Sequence, residues 1–264
     1  MPKEGLTMLG KLKKILGWGA TVEGNAAAAV GEARLHTRYN LEDFDFIRLE
    51  FPIEQFPKLR DISYGGFALL KTGLALPEFS DPEIPGFLHL FNRSCPIKAK
   101  KVHEGRDKIG FQFIHDSEGI LVFLRSFLED MRCGSTLDKL DPILLSENFR
   151  KKYTLALRGD GPVDLYIDWH DGQLHKALLT QRENKVYSEV RWLEGKLQTG
   201  RMLDEEGVAP RMITDSRPSP QALQKSLQIM VGALIKRSDW IMPLTAFYQE
   251  LHRWHQNPNQ GDEG

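Results

Sequence analysis

The chain has 264 residues, enough for one large domain or two of ordinary size. Its 35 basic and 36 acidic residues leave a formal net charge of -1, which argues against a general nucleic-acid coat, because phosphate-backbone binding needs a surplus of Lys and Arg. Two cysteines, Cys95 and Cys133, are too few and too ill-spaced for a disulfide framework or zinc site, and no run reaches the roughly 18 apolar residues of a membrane-spanning helix.

The first thirty residues differ from the rest. Met8, Leu9, Leu12, Ile15 and Leu16 share one helical face, while Lys11, Lys13 and Lys14 lie off it. This spacing predicts a short basic amphipathic helix over 8–18. Such a helix packs on its own body in most proteins, or lies on an anionic membrane surface or a partner. The lysines also break any signal-peptide core, so a cytoplasmic setting with reduced thiols is the expectation. Residues 24–30 (GNAAAAV) read as a linker closing an N-terminal segment of 1–30.

From 44 to 114 the pattern is one of strands. Ile47, Leu49 and Phe51 alternate with Arg48 and Glu50, as on a half-buried strand. Further strands are expected over 67–70, 87–91, 97–102 and 109–114, the last two joined by a turn at 104–107. The prolines at 52, 57, 77, 82, 85 and 96 are expected at strand ends or in loops. Ile120, Leu121, Leu124, Phe127, Leu128 and Met131 then form a helical apolar stripe, capped by Asp116 or Ser117 and ended by Cys133-Gly134.

Residues 136–148 read as a connector, in which Pro142 forbids a continuous helix. Strands follow at 153–157, 163–169, 174–181, 185–192 and 196–203, with short Gly- and Asn-containing turns between them, a pattern that predicts an antiparallel meander. Two helices close the chain. Ser219 caps the first, with Pro220 at its first position, and Ile241, Leu244, Phe247, Tyr248, Leu251 and Trp254 stripe the second. The expected class is α+β: an antiparallel β-barrel with a C-terminal helix over 31–135, then a meander and helix pair over 149–256, then a disordered tail over 257–264.

One constellation carries chemistry. Arg34-Leu35-His36-Thr37-Arg38 sets two arginines four positions apart, and Asp61-Ile62-Ser63-Tyr64-Gly65-Gly66 follows. Guanidinium groups are planar donor forks suited to phosphate and to the O6/N7 edge of guanine. Asp61 and Ser63, two apart in a strand, share a side and can meet guanine N–H groups. Gly65 and Gly66 remove the Cβ that would hold a flat ligand away. The set suits an anionic guanine nucleotide.

Here the chain resembles the PilZ family, whose signature is RxxxR followed by D/NxSxxG. The resemblance extends to residues 96–113 (PIKAKKVHEGRDKIGFQF) and to the helix after them, about residues 30–135 in all. It implies a receptor for cyclic di-GMP that needs no cofactor, with no catalysis by this domain, Arg34 and Arg38 holding phosphate and guanine, Asp61 and Ser63 meeting a guanine edge, and Gly65 and Gly66 permitting close approach. It also implies that the residue at Ala33 influences whether one or two nucleotides bind. One departure stands out: residues 40–45 (NLEDFD) separate the arginines from the strand at 47 and bring Glu42, Asp43 and Asp45 nearby.

The other clusters read as bland. His170-Asp171-Gly172-Gln173 is a hairpin turn, and with Asp168 and His175 it lacks the fixed spacing of a metal site. Lys98, Lys100, Lys101, Arg106 and Lys108 are read as an edge strand kept soluble by charge. Trp169, Trp192, Trp240 and Trp254 are read as core. The expected function is a cyclic di-GMP effector passing its signal to a protein partner or to its own second domain. The alternatives are a non-binding scaffold of the same fold, and a metal-dependent hydrolase with its site in 150–256.

Overall fold

Alternation of side chains builds the first sheet. The strand β2 (Ile47–Glu50) turns Ile47 and Leu49 inward and Arg48 and Glu50 outward, and the long β6 (Arg93–Glu104) buries Cys95, Ile97 and Ala99 between exposed neighbours. With β1 (Tyr39–Asn40), β3 (Leu59–Ser63), β4 (Gly66–Leu70), β5 (Glu83–Leu90) and β7 (Lys108–Phe113) they form one antiparallel sheet, ordered β1-β3-β4-β7-β6-β5-β2. The computed structural model describes residues 37–44, 46–51, 57–71, 83–114, 118–183, 186–203, 211–236 and 239–257.

The sheet curls. Four strand steps separate β2 from β4, about 19 Å across a flat sheet at the usual spacing. Yet Phe51, just after β2, has its ring centroid 5.8 Å from Phe67 of β4 and 5.7 Å from Phe111 of β7. Those three rings, with Leu49, Ile62, Leu69 and Leu88, form the buried centre. The result is a half-barrel whose hydrogen-bonded order ends at β1 and β2. Helix α1 (Glu118–Ser135) adds Ile120, Leu124, Phe127, Leu128 and Met131 to this core.

Two expectations change here. Pro85 and Pro96 lie inside β5 and β6, not at strand ends. The sheet tolerates them because β2 pairs only with 87–90 of β5, and β7 meets β6 only from Ala99 onward, so each proline has a neighbouring strand on one side only. The lysine-rich strand is not an edge either: β6 runs between β5 and β7. Its lysines project from the outer face, where Lys101 and Lys71 both meet Glu104.

The second sheet follows chain order, β8 (Asp138–Lys139), β9 (Leu155–Arg158), β10 (Val163–His170), β11 (Gln173–Glu183), β12 (Val186–Leu193), β13 (Lys196–Leu203) and β14 (Arg211–Thr214), and is the expected antiparallel meander. Two of its turns need left-handed backbone: Asp171 and Gly172 have φ of 52° and 73°, Glu194 and Gly195 of 47° and 84°. One face packs under helices α3 (Pro220–Ile235) and α4 (Ile241–Gln256), joining Ala177, Leu179, Val190 and Trp192 to Leu227, Met230, Phe247 and Leu251. A smaller apolar group of Leu140, Ala156, Tyr166 and Leu178 lies apart from that core. The expected connector holds a 3-10 turn (Pro142–Leu144) and a short helix, α2 (Glu147–Lys152), capped by Ser146.

Gly134 does not end α1, which continues to Ser135. A Cβ at Gly134 would lie 1.8 Å from the Ile229 carbonyl oxygen, and one at Gly232 would lie 1.9 Å from that of Met131. The two glycines let α1 and α3 touch backbone to backbone. Phe91, with φ of 54°, stacks on Phe46 at 4.6 Å and meets the His255 ring of α4 edge-on at 5.2 Å. Residues 36–264 cluster accordingly as one unit.

Candidate functional site

The two halves of the motif meet through a strand that periodicity does not reveal. Directly after Arg38, β1 pairs with β3 in the register Tyr39↔Ile62 and Asn40↔Asp61. Arg38 Nη1 donates to Asp61 Oδ1 at 2.5 Å, so residues 23 apart in sequence form one ion pair at the sheet end. The Arg38 side chain is 32% exposed and that of Asp61 13%, which leaves the guanidinium open to solvent. One of its five N–H donors is engaged by the carboxylate. Arg34 and Asp45 lie outside the described residues.

Among the described residues, Arg38 pairs with Asp61 and not with Glu42 or Asp43. The Glu42 amide donates to Asn40 Oδ1 at 3.0 Å and the Phe44 amide to the Leu41 carbonyl, a tight turn that buries Leu41 in the core. Beside Asp61, Arg60 pairs with Asp107 in the β6–β7 turn. That hydrogen bond, then the charge of Asp107, holds the Arg60 guanidinium above its usual range, with smaller pulls from Asp61 and Glu42. The Arg60–Asp107 pair, 47 positions apart, had no sequence signal.

Ser63 is 3% exposed, and its hydroxyl donates to the Gly66 carbonyl at 3.2 Å, pinning the β3–β4 turn at Tyr64-Gly65. The hydroxyl retains acceptor capacity. Gly66 is required by the sheet itself: a Cβ there would fall 2.1 Å from the Phe111 carbonyl oxygen of β7. Gly65 accepts the Phe113 amide at 3.1 Å. The motif thus brings Arg38 to Asp61, while Ser63 and Gly66 form the turn beneath them.

Two tyrosines flank the site. Burial pushes the Tyr39 hydroxyl up to about 12, with Arg132 opposing, and burial likewise raises Tyr64, helped by the charge of Glu129. Both remain neutral, and Arg125, Glu129 and Arg132 of α1 are among the charges that they feel.

In the second sheet, His170 Nε2 lies 2.8 Å from Asp168 Oδ1, and Lys176 Nζ lies 3.1 Å from Asp168 Oδ2. The Lys176 ammonium occupies the carboxylate oxygen that a cation would need. Among the described residues, no group of three or more His, Cys, Asp or Glu converges as a metal site. Trp192 and Trp254 are buried, and Trp169 and Trp240 pack against the same core.

No protein-family model and no curated protein matches the chain. Among solved structures it is similar to the Legionella protein Lpg0364, at 18% identity over 36% of this chain and 97% of the other, with a TM-score of 0.28. It is also similar to the PlzA protein of Borreliella burgdorferi, solved in complex with c-di-GMP. There the identity is 10% over 70% of this chain and 86% of the other, and the TM-score is 0.24.

Proposed function

We propose that residues 31–135 are a PilZ-type receptor domain for cyclic di-GMP, in a bacterial cytoplasmic effector, and that residues 149–256 are its output domain. The observation that supports this reading is the meeting of Arg38 with Asp61. An arginine fork and a carboxylate held side by side at an open sheet end offer a guanine both the donors and the acceptor it needs. Arg34, four positions earlier in sequence, supplies the second guanidinium for phosphate. Ser63, Gly65 and Gly66 hold the turn that sets the height of Asp61.

In this reading the ligand competes with Asp61 for Arg38. A partly exposed ion pair is worth at most about 1 kcal/mol, so the exchange costs little against charge-assisted hydrogen bonds to phosphate. Slower amide exchange over residues 20–40 accompanies binding, and the signal leaves through α1 and its glycine contact with α3, toward the second sheet or a protein partner.

The same ion pair favours a second reading, a scaffold in which Arg38 is satisfied internally and no nucleotide binds. Titration calorimetry with cyclic di-GMP separates the two. The receptor gives saturable heat with the unaltered chain, reduced about tenfold or more in affinity by Arg38→Ala. The scaffold gives no heat with either.

A further inference from the structure

A second site emerges from a row of polar side chains across the meander. Gln181 of β11 pairs with Ser188 of β12, which pairs with Arg201 of β13, so the three lie abreast on one face. The next row inward, Leu179, Val190 and Thr199, is buried, and the sheet face beyond it belongs to the core under α3 and α4. The polar row sits where that core ends, opposite the first turn of α3. Thr199 fastens the helix there: its Oγ1 accepts the Ser219 amide at 2.8 Å and donates to Asp215.

Between the row and the helix lies a cavity of about 330 Å³, lined also by Ser219, Gln221 and Lys225. That volume falls at the lower end of the range of ligand pockets, about 300–1,000 Å³. Its walls are unevenly charged: Arg201 and Lys225 line it, with no carboxylate among the described lining residues. The α3 N-terminus adds its partial positive charge. Pro220 has no N–H and the Ala222 amide goes to Ser219 Oγ at 3.4 Å, while Gln221, between them, lines the cavity.

The independent sign of a ligand is Gln181. It is 5% exposed, it lines the cavity, and its Oε1 has no hydrogen-bond partner among the described residues. A buried amide oxygen left unpaired is costly, and it calls for a donor that the protein does not supply. A sulfate, which carries no proton at neutral pH, satisfies the cations but not this oxygen. An anion that also carries a hydroxyl satisfies both.

We propose that this cavity binds a small phosphate ester bearing free hydroxyl groups, with Arg201, Lys225 and the Gln221 amide on the phosphate and Gln181 Oε1 accepting from a hydroxyl. Lys225 Nζ also lies 3.9 Å from Asp130 of α1, so the site borders the helix that follows the first sheet. The proposal does not depend on cyclic di-GMP binding at Arg38.

The test is a titration of the isotope-labelled full chain with glycerol 3-phosphate, sulfate and glycerol, followed by amide chemical shifts. Glycerol 3-phosphate is expected to give saturable shifts at Gln181, Ser188, Arg201 and Gln221, sulfate weaker binding at the same amides, and glycerol none. Arg201→Gln, at an exposed position, weakens both anions about tenfold or more, the worth of one charge-assisted hydrogen bond. Gln181→Leu weakens glycerol 3-phosphate and leaves sulfate unchanged, a split that a purely structural glutamine does not produce. The proposal is overturned by an absence of saturable shifts with glycerol 3-phosphate, by unaltered affinity in Arg201→Gln, or by a Gln181→Leu chain that binds glycerol 3-phosphate as before. Cyclic di-GMP affinity stays unchanged in both variants, so the outcome is separable from the fate of the receptor reading.

Discussion

The first sheet buries its inner face largely against itself, with rings from β4, β7 and the end of β2 in contact, whereas the second buries its inner face under α3 and α4. The difference follows from strand order. Non-sequential neighbours (β1 beside β3, β7 between β4 and β6) draw distant segments together at the sheet end, where Arg38 meets Asp61. A meander of sequential hairpins assembles no such distant pair within the sheet. It depends on helices from further along the chain, and its polar row faces the end of one of them. Curling gathers distant polar groups from strands alone, and a meander does so only with its cover.

The largest expected effect breaks the joint between the two regions. Gly232→Val places side-chain atoms where a Cβ alone already falls 1.9 Å from the Met131 carbonyl. A loss of about 3 kcal/mol is expected by urea denaturation, the upper range for overpacking. A loss under about 0.5 kcal/mol, the size of an ordinary surface substitution, shows that the sheets are not clamped there.

The same joint carries a pH dependence. Burial pushes the Asp130 carboxyl from its ordinary 3.8 up to about 7, with Lys225 opposing and Glu129 adding. Between those values the folded chain holds a proton that the unfolded chain has lost. Asp130 therefore contributes a loss of stability as pH rises from about 4 to about 7, level above that. Comparison of the unaltered chain with Asp130→Asn across this range isolates it: the difference between the two is steep below about pH 7 and flat above. A difference that does not vary with pH contradicts the assignment.

Smaller effects distinguish turn from surface within the first sheet. Ser63→Ala leaves the buried Gly66 carbonyl without its hydroxyl donor and is expected to cost about 1 kcal/mol. Lys71→Ala breaks an exposed pair with Glu104 and is expected to cost less than Ser63→Ala, since Lys101 remains. Thermal unfolding of both ranks them, and a reversed order breaks the comparison.

Local patterning made most strands and helices legible, because alternation and the 3.6-residue stripe are written wherever one face is buried. The motif was legible as chemistry, and the structure joins Arg38 to Asp61. What periodicity missed was set by distant partners. The two-residue β1 has too few residues to alternate, and it exists because β3 offers it a register. Gly134 reads as a helix stop until Ile229 of another helix lies against it. The β6 lysines read as an edge because one strand's sequence does not say how many neighbours it has. Gln181 continues an alternating strand, and its buried, unpaired oxygen is visible only once the chain is folded.

The receptor reading is tested most directly by following backbone amides while cyclic di-GMP is added to the full chain. The account predicts saturable shifts at Arg38, Asp61, Gly65 and Gly66, with slowed amide exchange over 20–40, and their disappearance in Arg38→Ala. Spectra unchanged at saturating nucleotide, or shifts confined to the second sheet, would contradict it.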